Sequence, residues 1–196
     1  LERVTNHGFY MLSGARTHDF LGLNYYFHFR IQSAWGFLKQ AVGATPEELA
    51  NVEFESSDIG WELFPHGIFD VCVDLAEYKK PIYITENGLA TSHDDKRVRV
   101  IVGYLLQVYY AIQAGADVRG YFHWSLLDNF EWAKGYAPTF GLVGVDRATM
   151  ERSLKTSAEI YGLIAKDNEI KHDFLRFLGH GTSHILEQWK EERAML

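Results

Sequence analysis

The stretch Pro81-Ile82-Tyr83-Ile84-Thr85-Glu86-Asn87-Gly88 decides the fold of this chain. Its β-branched and aromatic residues form a short run bounded by Pro81 and Gly88, which reads as a strand. The strand ends on a carboxylate, Glu86, placed just before a glycine turn. Working outward, two further apolar runs have the same character, Phe20 to Tyr26 upstream and Gly120 to Ser125 downstream. Helical patterns separate them. One runs from about Pro65 to Lys79, with Ile68, Val71, Cys72, Leu75 and Tyr78 on one face and Pro65 at a first-turn position. A second runs from about Asp94 to Ala114. Its Asp94-Asp95 pair stands where the helix dipole favours negative charge, and Gly115 stands where a helix stops. A third covers roughly Ser153 to Lys166, with Leu154, Ala158, Tyr161, Leu163 and Ile164 apolar.

Strands alternating with helices across long connections predict an α/β fold with parallel strands, either a doubly wound sheet or a (β/α) barrel. Three strands cannot close a barrel. A closed (β/α)₈ barrel takes roughly 250 residues, and this chain has 196. A three-stranded parallel sheet has two open edges and an apolar inward face, so the sequence predicts a missing complement.

Hydrophobic residues make up 47% of the chain, enough for one core, and no Pro/Ser-rich linker divides it. The reading is one unit over residues 1–170 and a tail over 171–196. In the tail, Ile185, Leu186 and Trp189 share a helical face, which predicts a packing helix, with a docking element for a partner chain as the alternative. A formal charge of −7 with no Lys/Arg block argues against nucleic acid and anionic membrane as partners. Cys72 is the only cysteine, so no internal disulfide forms, and a buried thiol in a cytoplasmic protein is expected. The uncharged run Val100 to Ala116 falls short of the ~20 residues of a membrane span and contains Gln107, Gln113 and three tyrosines. It reads as a buried helix.

A second unusual stretch is Tyr121-Phe122-His123-Trp124-Ser125-Leu126-Leu127-Asp128-Asn129-Phe130-Glu131-Trp132, where aromatics alternate with groups that hydrogen-bond hydroxyls. That composition suits a sugar, whose apolar ring face stacks on an aromatic while its rim is hydrogen-bonded. Residue types alone leave other readings open. Glu86 could be a turn residue, Trp124 and Trp132 core aromatics, Glu131 a surface charge and Tyr26 a core tyrosine. His180 and His184 stand four apart, but with no Cys or carboxylate arranged around them they read as solvated loop residues.

The segments Ile84-Thr85-Glu86-Asn87-Gly88, Trp124 to Trp132 and Phe20-Leu21-Gly22-Leu23-Asn24-Tyr25-Tyr26 together resemble the family 1 glycoside hydrolases, the β-glucosidase and β-galactosidase family. The resemblance covers about Thr17 to Ile170. It implies the C-terminal portion, about strands 6 to 8, of a (β/α)₈ TIM barrel completed by a complementary N-terminal chain. It also implies a retaining β-glycosidase acting on terminal β-D-glucosyl or galactosyl residues, which uses two carboxyl groups ~5 Å apart. By this resemblance Glu86 is the nucleophile and Tyr26 the tyrosine that holds it ionised, while Asn24 lies near the sugar 2-hydroxyl. Trp124 forms the floor under the ring, Glu131 and Trp132 bind hydroxyls at its far side, and Phe140 lines the same subsite. Members that prefer 6-phosphorylated sugars carry a serine and a lysine in place of the Glu131 equivalent, so Glu131 points to unphosphorylated substrates. The family's acid/base glutamate has no counterpart in this sequence, and Glu62 belongs to the loop after the sixth strand. The N-terminal partner is therefore expected to supply it. No metal or cofactor is implied. The alternative reading is a non-catalytic half-barrel that assembles with itself or another chain and binds a sugar or other ligand.

Overall fold

The computed structural model describes residues 17–28 and 55–179. Strands β1 (Leu21–Asn24), β2 (Ile82–Asn87) and β3 (Val118–His123) form one parallel sheet in that order. In sequence, helix α1 (Pro65–Leu75) falls between β1 and β2, and α2 (Asp94–Gln113) between β2 and β3. The alternation read from the sequence is therefore the observed architecture. The predicted tail helix beyond Ser183, with His180 and His184, lies outside the described residues.

The core explains the strand pattern. Leu21, Ile82 and Ile84 point to the helices and pack with Ile68 and Cys72 of α1 and Val100, Tyr104, Val108 and Ala111 of α2. Burial pushes the Cys72 thiol up to about 12, so it is an inert packing group. A second cluster joins Val98 and Val102 of α2 to Ile160 and Ile164 of helix α3 (Thr156–Asp167) and to Phe174 and Phe177 of a 3₁₀ segment over His172–Leu178. Among the described residues no helix is long and apolar enough to cross a membrane.

The other face of the sheet has no cover from the described residues. Alternation puts Phe20, Gly22, Asn24, Tyr83, Thr85, Gly120 and Phe122 there. Phe20 is 53% and Phe122 57% exposed. The Phe20 and Tyr83 rings meet edge to face at 5.3 Å. Gly120 is required beneath that tyrosine, since a Cβ there would lie 2.6 Å from the Tyr83 ring.

Element boundaries differ from expectation for local reasons. α1 gives way to a 3₁₀ turn over Ala76–Tyr78, closed by Lys79 in the left-handed region at φ 54°. Gly115 does terminate α2, at φ +100°. α3 begins at Thr156 rather than near Ser153, because strand β5 (Arg152–Leu154) pairs antiparallel with β4 (Val143–Val145). The connecting turn is held by Asp146, whose Oδ1 accepts the Ala148 and Thr149 N–H groups at 2.7 and 3.1 Å. α3 then takes its cap from α2. Asp94 accepts the Ser157 N–H at 3.0 Å and its hydroxyl at 2.6 Å.

Candidate active site

The carboxyl ends of the three strands converge on an open cavity of about 560 Å³. It is lined by Tyr26, Trp61, Glu86, Trp124, Asn129, Phe130, Glu131, Trp132 and Phe140. Six of the seven residues singled out in the sequence therefore meet here. Asn24 does not line the cavity; it is exposed, and its Oδ1 accepts the Thr85 hydroxyl at 2.7 Å.

Strict alternation would put Glu86 on the same side as Ile82 and Ile84, against the helices. The ladder irregularity between Ile84 and Asn87, together with a shift that sets Glu86 opposite Asn24, coincides with its turning toward the cavity. There the Tyr26 hydroxyl donates to Glu86 Oε2 at 2.7 Å. Burial, and then this bond to the carboxylate, hold the Tyr26 phenol well above its ordinary value, so it remains a donor. The Tyr26 ring is fixed by aromatic neighbours. Trp61 meets it edge-on at 5.4 Å and Phe140 at 6.3 Å, and Trp61 itself stacks on Phe27 at 5.0 Å.

The glycine of the Glu-Asn-Gly motif has a packing reason. A Cβ at Gly88 would lie 1.9 Å from the Trp124 carbonyl oxygen, so only glycine lets β2 pass this close to the strand end that carries Trp124. The peptide between Trp124 and Ser125 is cis. From Ser125 the chain pairs with the segment around Phe140 instead of β2, which is why β3 stops at His123 rather than at Ser125.

The loop that carries Asn129 to Trp132 is closed by Asp128. Its Oδ1 accepts the Gly141 N–H at 2.7 Å, both its oxygens lie 3.2 Å from Lys155 Nζ, and Lys155 also donates to the Gly141 carbonyl at 2.7 Å. Arg147 donates to the Asp128 carbonyl. Behind the cavity, Arg97 is 1% exposed and donates to Asp94 Oδ1 at 2.7 Å, to the Thr139 carbonyl at 2.9 Å and to the Thr91 carbonyl. Arg97 thus ties the loop after Glu86 to the segment that presents Phe140. Burial pushes the Asp94 carboxyl up, but the bonds from Ser157 and Arg97 outweigh it and hold the group below the usual carboxylate range.

Sequence reading passed over Trp61, Asn129 and Phe130 as lining residues. Trp61 carried a usable signal: it stands in the connection between β1 and α1, and such connections form the mouth of a βα barrel. Asn129 and Phe130 lie inside the quoted Tyr121–Trp132 stretch. Arg97 carried no signal, because a buried cation on a helix is indistinguishable in sequence from an exposed one. Among the described residues no group of three His, Cys, Asp or Glu side chains is placed to hold a metal ion.

Comparisons with known proteins identify the family to which the chain belongs. The family described as Glycosyl hydrolase family 1 matches residues 3–170. The chain belongs to glycosyl hydrolase family 1. Among its family 1 relatives, beta-glucosidase A of Thermotoga maritima is 38% identical over 169 residues, covering 78% of this chain and 35% of that protein. A 6-phospho-beta-galactosidase of Staphylococcus aureus is 36% identical over 197 residues, covering 86% of this chain and 42% of that protein. The structure of a beta-glycosidase from Pyrococcus horikoshii superposes with a TM-score of 0.71 at 39% identity, covering 83% of this chain and 38% of that one. The chain thus spans between about a third and two-fifths of the length of these family 1 proteins.

Proposed function

We propose that this chain is the nucleophile-bearing part of a retaining β-glycosidase, corresponding to about strands 6 to 8 of the barrel and acting on terminal unphosphorylated β-D-glucosyl or galactosyl residues. The observation that carries this reading is the Tyr26 hydroxyl held 2.7 Å from the Glu86 carboxylate within a cavity walled by aromatic rings. A donor on one carboxylate oxygen orients the group and leaves the other oxygen for attack at the anomeric carbon. Attack forms an Oε–C1 bond and expels the aglycone. Trp124 supplies an apolar platform for the ring, and Glu131, Trp132 and Asn129 meet its hydroxyls. Asn24, bonded to Thr85 on the open sheet face, reaches the sugar only if that face is part of the assembled site. The carboxyl group that protonates the leaving group comes from a complementary N-terminal chain packed on the open face, as the exposure of Phe20 and Phe122 supports. No metal or cofactor enters this chemistry, and a cytoplasmic location fits the single buried thiol.

The test is hydrolysis of 4-nitrophenyl β-D-glucoside, β-D-galactoside and the 6-phospho-galactoside by the purified protein, with Glu86→Gln as control and intact mass under denaturing conditions. The expected result is turnover of the unphosphorylated substrates that vanishes in Glu86→Gln, with a second chain in the mass spectrum. Preference for the 6-phospho substrate overturns the assignment to Glu131. Folded two-chain material that binds sugar without turnover favours the non-catalytic half-barrel.

A further inference from the structure

Asn87 directly follows Glu86 and is 1% exposed. Its Nδ2 donates to the Tyr25 carbonyl at 2.6 Å, and its Oδ1 accepts the Tyr121 hydroxyl at 2.6 Å. A carbonyl only accepts, so the amide nitrogen has to face Tyr25 and the oxygen has to face Tyr121. Two backbone bonds run beside these. The Tyr25 N–H donates to the Glu86 carbonyl at 2.9 Å, and the Trp124 N–H donates to the Asn87 carbonyl at 2.9 Å. Tyr121 is backed in turn by α3, since the Tyr161 hydroxyl donates to the Tyr121 carbonyl at 3.0 Å.

One buried amide therefore spans the ends of all three strands, next to the residues that project Tyr26, Glu86 and Trp124 into the cavity. The regular ladders do not define the spacing here. The β1–β2 register shifts after Leu23 and the β2–β3 register shifts after Ile84. Where pairing lapses, a side chain that donates to one neighbouring strand end and accepts from the other can set the separation instead.

We propose that Asn87 is a positioning residue of this site: by clamping the Tyr25 carbonyl and the Tyr121 hydroxyl across β2, it fixes the Tyr26 hydroxyl on the Glu86 carboxylate. This rests on the reading of Glu86 as nucleophile. The amide touches neither sugar nor reacting atom and acts through the placement of Tyr26.

The experiment measures the rate of covalent labelling of Glu86 by 2,4-dinitrophenyl 2-deoxy-2-fluoro-β-D-glucoside, by intact mass. Attack forms the Oε–C1 bond while dinitrophenolate leaves with the electron pair of the broken C1–O bond, so no acid is required. The assay is run on the full chain and on the chain with its complement, for wild type, Asn87→Ser, Tyr121→Phe, the double variant and Tyr26→Phe. Asn87→Ser is expected to slow labelling by about 100-fold, the scale of a misplaced reacting group. Labelling should slow in the same sense as in Tyr26→Phe, because both variants take the Tyr26 donor away from the Glu86 carboxylate. Tyr121→Phe should cost little once Asn87 is gone, since the two act as one unit. A folded Asn87→Ser that labels at the wild-type rate overturns the proposal, as does full additivity with Tyr121→Phe.

The ¹³Cζ shift of Tyr26 in the isolated chain reports its hydrogen bond without turnover. A wild-type shift retained in both Asn87→Ser and Tyr121→Phe overturns the proposal even where nothing is labelled. Absence of wild-type labelling, together with a Tyr26 shift that changes in both variants, sinks the nucleophile reading and leaves the clamp standing.

Discussion

Gly88→Ala tests the packing that joins Glu86 to Trp124. The added methyl would lie 1.9 Å from the Trp124 carbonyl oxygen and 3.0 Å from its carbon. Ordinary contact begins at 3.4 Å, so the two backbones must separate by about 1.5 Å. The obstacle is backbone, and no side chain can rotate away to relieve it. Forced overpacking costs about 1–3 kcal/mol. The Trp124 N–H bond to the Asn87 carbonyl, at 2.9 Å, spans the same gap and cannot survive the opening; its loss adds about 1 kcal/mol. The expected destabilisation is therefore about 2–4 kcal/mol. Gly162→Ala is the matched control, a glycine inside α3 whose added Cβ would meet nothing within 4 Å. It should stabilise by up to about 1 kcal/mol. Urea unfolding followed by tryptophan fluorescence separates the two: with a slope near 2 kcal/mol per molar, Gly88→Ala should lower the midpoint by about 1–2 M while Gly162→Ala raises it. A Gly88→Ala midpoint within about 0.3 M of wild type would refute the close-approach account.

Three further outcomes follow from the same geometry. Arg97→Met should destabilise the chain by about 3–5 kcal/mol, because it leaves the Asp94 charge and two loop carbonyls without their buried donor; urea midpoints read this directly. Burial, then the nearby Arg97 charge, push His123 down to about 3, against about 6.5 when unfolded. Between those values only the unfolded chain takes up the proton, so stability falls as pH drops, by up to about 1.4 kcal/mol per pH unit. His123→Phe should flatten that slope in midpoints taken at pH 7, 6, 5 and 4, and a slope unchanged by the substitution would contradict it. The contribution of Asp94 has the same sign but is confined to below about pH 4, since its folded value is depressed. Trp132 is 81% exposed, so Trp132→Ala should leave stability within about 0.5 kcal/mol. If it binds sugar hydroxyls as proposed, the same variant weakens a glucose-like inhibitor by at least tenfold in a titration.

The sequence was most legible where one physical rule dominated. The three strands and the α1 and α2 patterns follow from apolar periodicity, and Pro65 and Gly115 mark a helix start and a helix end as their backbone chemistry requires. Legibility failed where a distant partner decided. The start of α3 depends on Asp94, more than sixty residues away, and on a hairpin closed by Asp146; neither leaves a periodic trace. Tyr26, Glu86, Trp124, Glu131, Trp132 and Phe140 line the cavity, but they are named through the family resemblance, because residue types alone leave the first five open to other readings. Strand alternation alone would have turned Glu86 away from the cavity, and the irregular pairing that turns it back cannot be read from residue types. Asn24 shows the converse. It shares the alternation of Tyr26, yet it ends on the open sheet face bonded to Thr85.

Among the described residues the sheet is bounded along the strand direction, with β1 at one margin and β3 at the other. In the proposed assembly, a joint there severs one ladder at each margin and leaves every described strand and helix intact on its own side. Repairing it asks of any counterpart two strands of matching length and an inner surface that fits around Phe20, Tyr83 and Phe122. Those are requirements on edge and shape, set apart from the Glu86 cavity. Tyr26, Asn87 and Trp124 thus sit as one bonded block at the strand ends, so a change in what meets the edges or the ring-lined face leaves their mutual spacing untouched.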